Sequence, residues 1–174
     1  IGCNTEKGLF KNPVLRQALT YAIDRDLLVD TYYHSFAYSA SLPASPLSPY
    51  YSNQLAAKYA YDPAKFQSAL AETGNVGSTV RILVNEGDTL RLRVARELGK
   101  ILEGYGLVVE MFEYRDENYF YMLGIGKYDI YVGKTRLSPN MDLSPFFASN
   151  GALRQGGMAD TVLYAMCQEA LANK

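Results

Sequence analysis

Apolar residues recur in two rhythms along this chain, and the switches between them mark its elements. Val14, Leu15, Ala18, Leu19, Ala22 and Ile23 return every three or four residues, the spacing of one helix face, behind Asn12 as N-cap and Pro13 as first helical residue. Asp24 restarts the helix through Leu27, Leu28, Thr31 and Tyr32, so a break is expected near Asp24. From Phe36 to Asn53 the rhythm fails. Pro43, Pro46 and Pro49 in serine-rich surroundings predict an irregular ordered loop. Asp62-Pro63 opens another helix with Phe66, Ala69 and Leu70 inward, closed by Gly74.

Thr79 to Asn85 then reads as a strand, and Gly87-Asp88 ends it and caps a helix whose apolar stripe is Leu90, Val94, Leu98, Ile101, Leu102 and Tyr105. Arg93, Arg96 and Lys100 share another face, interrupted by Glu97 and Glu103, as on a solvated surface. Leu107 to Tyr114 is the next strand. A strand, helix, strand unit implies a right-handed crossover and parallel pairing. Glu117 to Ile125 predicts a short helix leading to a third strand, and Met158 to Ala172 a closing helix with Val162, Leu163, Met166, Cys167 and Leu171 inward. Ile1 to Thr5 is expected to add a short entering strand.

The third strand lies in Lys127 to Asp142. Tyr128, Ile130, Tyr131, Val132 and Thr135 are strand-forming, and Pro139 stops a central strand from continuing. Past the stop come Arg136, Ser138, Asn140 and Asp142. Open α/β sheets place ligands beyond the carboxyl ends of their strands, which makes Thr135, Arg136, Ser138 and Asn140 candidate binding residues. Asn85 and Glu86, at the end of an earlier strand and before the Asp88 helix, form a second candidate patch, where a helix N-terminus favours a carboxylate or other anion.

Composition narrows the function. A chain of 174 residues with 48% hydrophobic content suits one domain with a real core. Lys plus Arg number 17 and Asp plus Glu 18, so no net field favours nucleic acid as a partner. No apolar run approaches the roughly 20 residues that span a bilayer, which reads as a soluble chain. Ile1-Gly2-Cys3 has the look of a lipoprotein cleavage site, but a helix follows too soon for the usual polar linker. Cys3 and Cys167 form neither a disulfide framework nor a CxxC pair, and Cys167 is expected as a small buried hydrophobe. GxSxG, HExxH, a P-loop and GxGxxG after a strand are absent, and the lone His34 is expected to be structural. No metal set and no cofactor are expected. Binding is therefore favoured over catalysis.

Asn12 to Asp26, NPVLRQALTYAIDRD, resembles the helix of the family 5 extracellular solute-binding proteins, the peptide- and nickel-binding subunits of ABC importers, with Arg16, Gln17, Ala18, Leu19, Ala22, Ile23, Asp24 and Arg25 in order. Asn4-Thr5, Tyr61-Asp62-Pro63, Leu107 to Glu110, Tyr128-Asp129 and Asp160 continue the likeness. The resemblance implies an α/β lobe of the periplasmic-binding-protein-like type II fold, with a mainly parallel or mixed sheet flanked by helices. It also implies that residues 1–174 are one domain, the C-terminal-side lobe of a longer two-lobed receptor. An oligopeptide or similar small solute would lie between this lobe and a missing second lobe, and an ABC permease would be the partner, outside the cytoplasm. The family's tryptophan and amine-binding aspartate fall on Thr135 and Ser138, so the usual peptide-amine contact is expected to be lost, with Arg136 beside it suited to a carboxylate. A regulator's ligand-sensing domain is the alternative, and a small cysteine/histidine enzyme a third reading.

Overall fold

The computed structural model describes residues 1–172 and has a four-stranded mixed sheet at its centre. β1 (Gly2–Cys3), β2 (Thr79–Asn85), β3 (Val108–Tyr114) and β4 (Ile130–Val132) lie in the order β1-β4-β2-β3. β2 pairs in parallel with β3 from Thr79 opposite Val108 to Asn85 opposite Tyr114, and in parallel with β4 on its other side. β1 is antiparallel to β4, with Gly2 opposite Tyr131. Central placement explains why β2 reads TVRILVN: both faces are covered, so Val80, Ile82, Leu83 and Val84 are all fully buried.

One face carries α1 (Pro13–Ala18), α4 (Pro63–Glu72) and α5 (Thr89–Gly104), which close the main core around Phe10, Leu15, Phe66, Leu98 and Leu102 with Val80, Ile82 and Val84 from the sheet. The other face carries α6 (Asp116–Ile125), whose Tyr119 and Leu123 cover Leu83 and Tyr128. The break expected near Asp24 is present. After a 3-10 turn at Leu19–Ala22 the chain is extended at Ile23, and the Asp24 carboxylate caps α2 (Arg25–Leu28) by accepting from Leu27 N–H at 3.0 Å. The loop of residues 36–52 is irregular, and the short α3 (Asn53–Ala57) follows it behind Ser52 as N-cap.

Two expectations need correction. The third strand stops at Val132 instead of reaching Thr135, because the chain leaves the sheet at Gly133, where a Cβ would stand 2.9 Å from the Tyr131 ring. The closing helix α8 (Thr161–Ala172) does not turn its apolar face inward. It packs against α7 (Ser144–Phe147) and not on the sheet, which leaves Val162 67% and Met166 59% exposed, and Cys167 and Leu171 only half-buried. Burial of Cys167 is thus partial, and both cysteines are free thiols.

Two buried polar side chains join the edges of the sheet. Asn4 donates to the carbonyls of Gly126 and Tyr128 and accepts from the N–H groups of Glu6 and Lys7, so its amide is fully used. Asp129, 2% exposed, accepts from Leu9 N–H at 3.1 Å and Arg81 N–H at 2.9 Å, and its own N–H donates to Arg81 O. Gly8 passes so close, at φ +70°, that a Cβ there would overlap Asp129 Oδ1. The returning chain is tied to the same region: Thr5 N–H and Oγ1 both donate to Gly156 O at 2.8 Å, and Oγ1 also reaches Gly157 O at 3.0 Å. Asp129→Ala orphans two buried N–H donors, and urea unfolding is expected to show a loss of about 3 kcal/mol. Asp129→Asn, which keeps one acceptor, is expected to lose about half of that.

Candidate functional site at the strand ends

The crossovers leaving β2 and β3 run over opposite faces of the sheet, so β4 comes to lie beside β2 on the side away from β3. The gap beyond the carboxyl ends of β2 and β4 is where the topology reverses, the position at which open α/β sheets leave a crevice. A cavity of about 530 Å³ opens beside this gap, beyond the carboxyl ends of β2 and β3, lined by Asn85, Gly87, Asp88, Thr89, Arg91 and Asp116. The β2-α5 turn and the start of α6 meet across it. Asn85 Oδ1 accepts from Gly87 N–H at 2.8 Å, and a Cβ on Gly87 would stand 3.7 Å from Asp116 Oδ1. Asp116 holds φ +34°, a conformation that non-glycine residues seldom adopt and that is often stored at functional sites.

Asp88 organises the rim. Its Oδ1 accepts from Arg91 N–H at 2.9 Å, which caps the 16-residue α5, and its Oδ2 lies 2.9 Å from Arg91 Nε. The backbone N–H of Arg91, then its guanidinium, hold the Asp88 carboxyl below the usual aspartate range, and the charge of Lys134 adds to this. Burial pushes the Tyr119 hydroxyl up, opposed by the nearby Arg91 charge.

Of the six residues singled out from sequence, Asn85 alone lines this cavity, and it is 8% exposed. Glu86 points away into an ion pair with Arg115 at 3.0 Å. Thr135 and Arg136 lie exposed on the chain that follows β4, and Arg136 makes no hydrogen bond or ion pair among the described residues. Ser138 and Asn140 fold into their own turn: Ser138 Oγ donates to Asn140 Oδ1 at 2.5 Å and accepts from Asp142 N–H at 3.0 Å. Asp142 in turn caps α7 through Ser144 N–H at 2.8 Å. Sequence reasoning missed Arg91, Asp116 and Lys134. The readable signal was Arg91 itself, a cation in the first turn of a helix and three residues after an aspartate cap. A second cavity of about 450 Å³ lies at the opposite, amino edge, but the side chain of Asn4 that reaches it is already fully hydrogen-bonded.

The family model described as "Bacterial extracellular solute-binding proteins, family 5 Middle" matches residues 1–155. The chain belongs to this family. Heme-binding protein A of Haemophilus influenzae is 39% identical over 74 residues, 42% of this chain and 13% of the relative. Oligopeptide-binding protein AppA of Bacillus subtilis is 39% identical over 75 residues, 42% of this chain and 14% of the relative. The solved structure of that AppA with a nonapeptide superposes with a TM-score of 0.80 at 24% identity, over 97% of this chain and 37% of its own. AgaA from A. tumefaciens R10, in complex with agropinic acid, superposes with a TM-score of 0.79 at 20% identity, over 96% of this chain and 36% of its own. The fold is that of these binding proteins, and the chain spans little more than a third of their length.

The residues that carry the family likeness are scaffold in this structure. Arg16 Nη1 donates to the carbonyls of Phe10 and Lys11, Arg25 Nη1 to Tyr59 O, and Asp62 and Asp160 cap α4 and α8. Because folding depresses the Asp88 pKa, its contribution to stability is complete above the ordinary aspartate value of about 3.9 and is lost as pH falls below that through the lower folded-state value. Asp88→Ala is expected to cost about 1 kcal/mol at pH 7 and to flatten the stability profile below about pH 4 in acid-unfolding curves, while Asp88→Asn keeps most of the cap at pH 7.

Proposed function

We propose that these 174 residues are the C-terminal-side lobe of a two-lobed, extracytoplasmic receptor that captures a small solute, an oligopeptide or a molecule of similar size, and delivers it to an ABC permease. The observation that carries this reading is the course of the chain around β4. It enters through β1 at the carboxyl end of β4, with Gly2 beside Tyr131, descends to Thr5, and after β4 comes back along Gly156-Gly157. α8 then returns to the neighbourhood of Asp142, whose charge helps to raise the Cys167 thiol pKa after partial burial does so first. β1 therefore brings the chain in at the carboxyl edge of the sheet, the edge that holds the cavity, as closure of two lobes about a hinge requires.

Asn85, Glu86, Thr135, Arg136, Ser138 and Asn140 are proposed to form this lobe's side of the interlobe surface. Asn85 touches the solute, and the chain after β4 closes over it. The peptide-amine contact is not expected, since Ser138 stands in place of the aspartate and its hydroxyl is engaged within its own turn. The protein acts by binding. Among the described residues no group of three His, Cys, Asp or Glu side chains is placed to hold a metal ion, and no helix is long and apolar enough to cross a membrane. The relatives named above favour the importer receptor over a regulator's sensor domain.

Native mass spectrometry of the full-length protein is expected to show a small molecule carried through purification. Calorimetric titration with that molecule is expected to give binding at least about 100-fold weaker for residues 1–174 alone, because half of the contacts are missing. Equal affinity of the isolated chain would refute the half-site arrangement.

A further inference from the structure

We propose that Arg91 is the specificity-determining residue of the strand-end cavity and that it takes a carboxylate of the solute. This assignment rests on the solute-binding reading above and names the chemistry of that same site.

Arg91 sits where an arginine is costly unless something compensates it. Its side chain is 24% exposed and lies in the first turn of α5, against the positive end of the helix dipole. Its Nε is fully buried yet makes no aligned hydrogen bond, since the 2.9 Å approach to Asp88 Oδ2 is an ion-pair contact with the N–H turned off the line of centres. A buried donor in that state is rare in a native protein and calls for a functional reason. Asp88 cannot swing to improve the contact, because its other oxygen is fixed on Arg91 N–H. What it does is position the guanidinium by its Nε edge. The two Nη groups make no hydrogen bond among the described residues.

A guanidinium held in this way offers two parallel N–H donors, the geometry that matches a carboxylate. The uncommitted charge around the cavity has the same sign. Lys134 is close enough to act on Asp88, whereas Asp88 is committed to Arg91 and Glu86 to Arg115. Asp116 is the exception. It lines the same cavity and makes no ion pair among the described residues. A carboxylate on that wall repels a second anionic group and accepts a hydroxyl or an ammonium. The ligand class is therefore a small solute with one carboxylate beside a hydroxyl or ammonium group, and polyanions are disfavoured.

The experiment is a thermal-shift titration of the full-length protein with matched pairs: D-gluconate and D-gluconamide, L-serine and L-serinamide, L-alanyl-L-alanine and its amide, and inorganic phosphate for comparison. At least one acid is expected to bind about 30-fold or more tighter than its amide. Arg91→Met is expected to abolish that gap. Arg91→Lys, which keeps the charge and the stem but not the fork, is expected to bind the acid about tenfold more weakly than wild type and covers the case in which Arg91→Met does not fold. An acid-to-amide gap unchanged in Arg91→Met, an Arg91→Lys variant equal to wild type, phosphate binding in place of every acid, or no response to any probe overturns the assignment. Failure of the underlying reading is separate and visible: native mass spectrometry would then find no small molecule on the full-length protein.

Discussion

The Asp129 carboxylate is the constraint on which this fold depends. It lies between β4 and β2 at 2% exposure, and it holds the backbone of the loop that follows β1. Removing a carboxylate from water is expensive and is tolerated when hydrogen bonds replace the lost hydration. Here two backbone N–H groups from distant parts of the chain do so, with the Arg81 guanidinium 4.0 Å away. One side chain thereby sets the position of β4 against β2, keeps the entering chain against the sheet, and requires Gly8 to have no side chain.

Much of this architecture was legible because local chemistry and tertiary demand agree. Asn12-Pro13, Asp62-Pro63 and Asp88 announce helices that form where they should, since each carboxylate or amide satisfies donors that no helix can satisfy internally. TVRILVN reads as a central strand because both of its faces are covered. The family likeness held for the same reason: Arg16, Asp24, Arg25 and Asp160 secure turns and helix ends, and such positions tolerate few substitutes whatever the ligand.

The less legible parts depend on partners that spacing does not reveal. β4 ends at Val132 and is followed by Gly133, where a Cβ would stand 2.9 Å from the Tyr131 ring, a contact invisible in a string of strand-forming residues. The α8 stripe has helical periodicity, but periodicity says only that one face is apolar and not what lies opposite. Ser138 and Asn140 look like ligand donors in sequence and are consumed by their own turn. Arg91 and Asp116, which do line the cavity, come from the starts of two helices whose approach is set by the sheet order, so no linear spacing joins them.

The Thr5 contact with Gly156 and Gly157 has a mechanical consequence. The incoming and outgoing segments are bonded to each other as well as to the sheet, and both glycines hold positive φ with almost no clearance, a Cβ at Gly156 falling 2.6 Å from Cys3 O. The two leads of the chain thus behave as a laced pair and not as independent tethers. A displacement of one is passed to the other through the Thr5 hydrogen bonds.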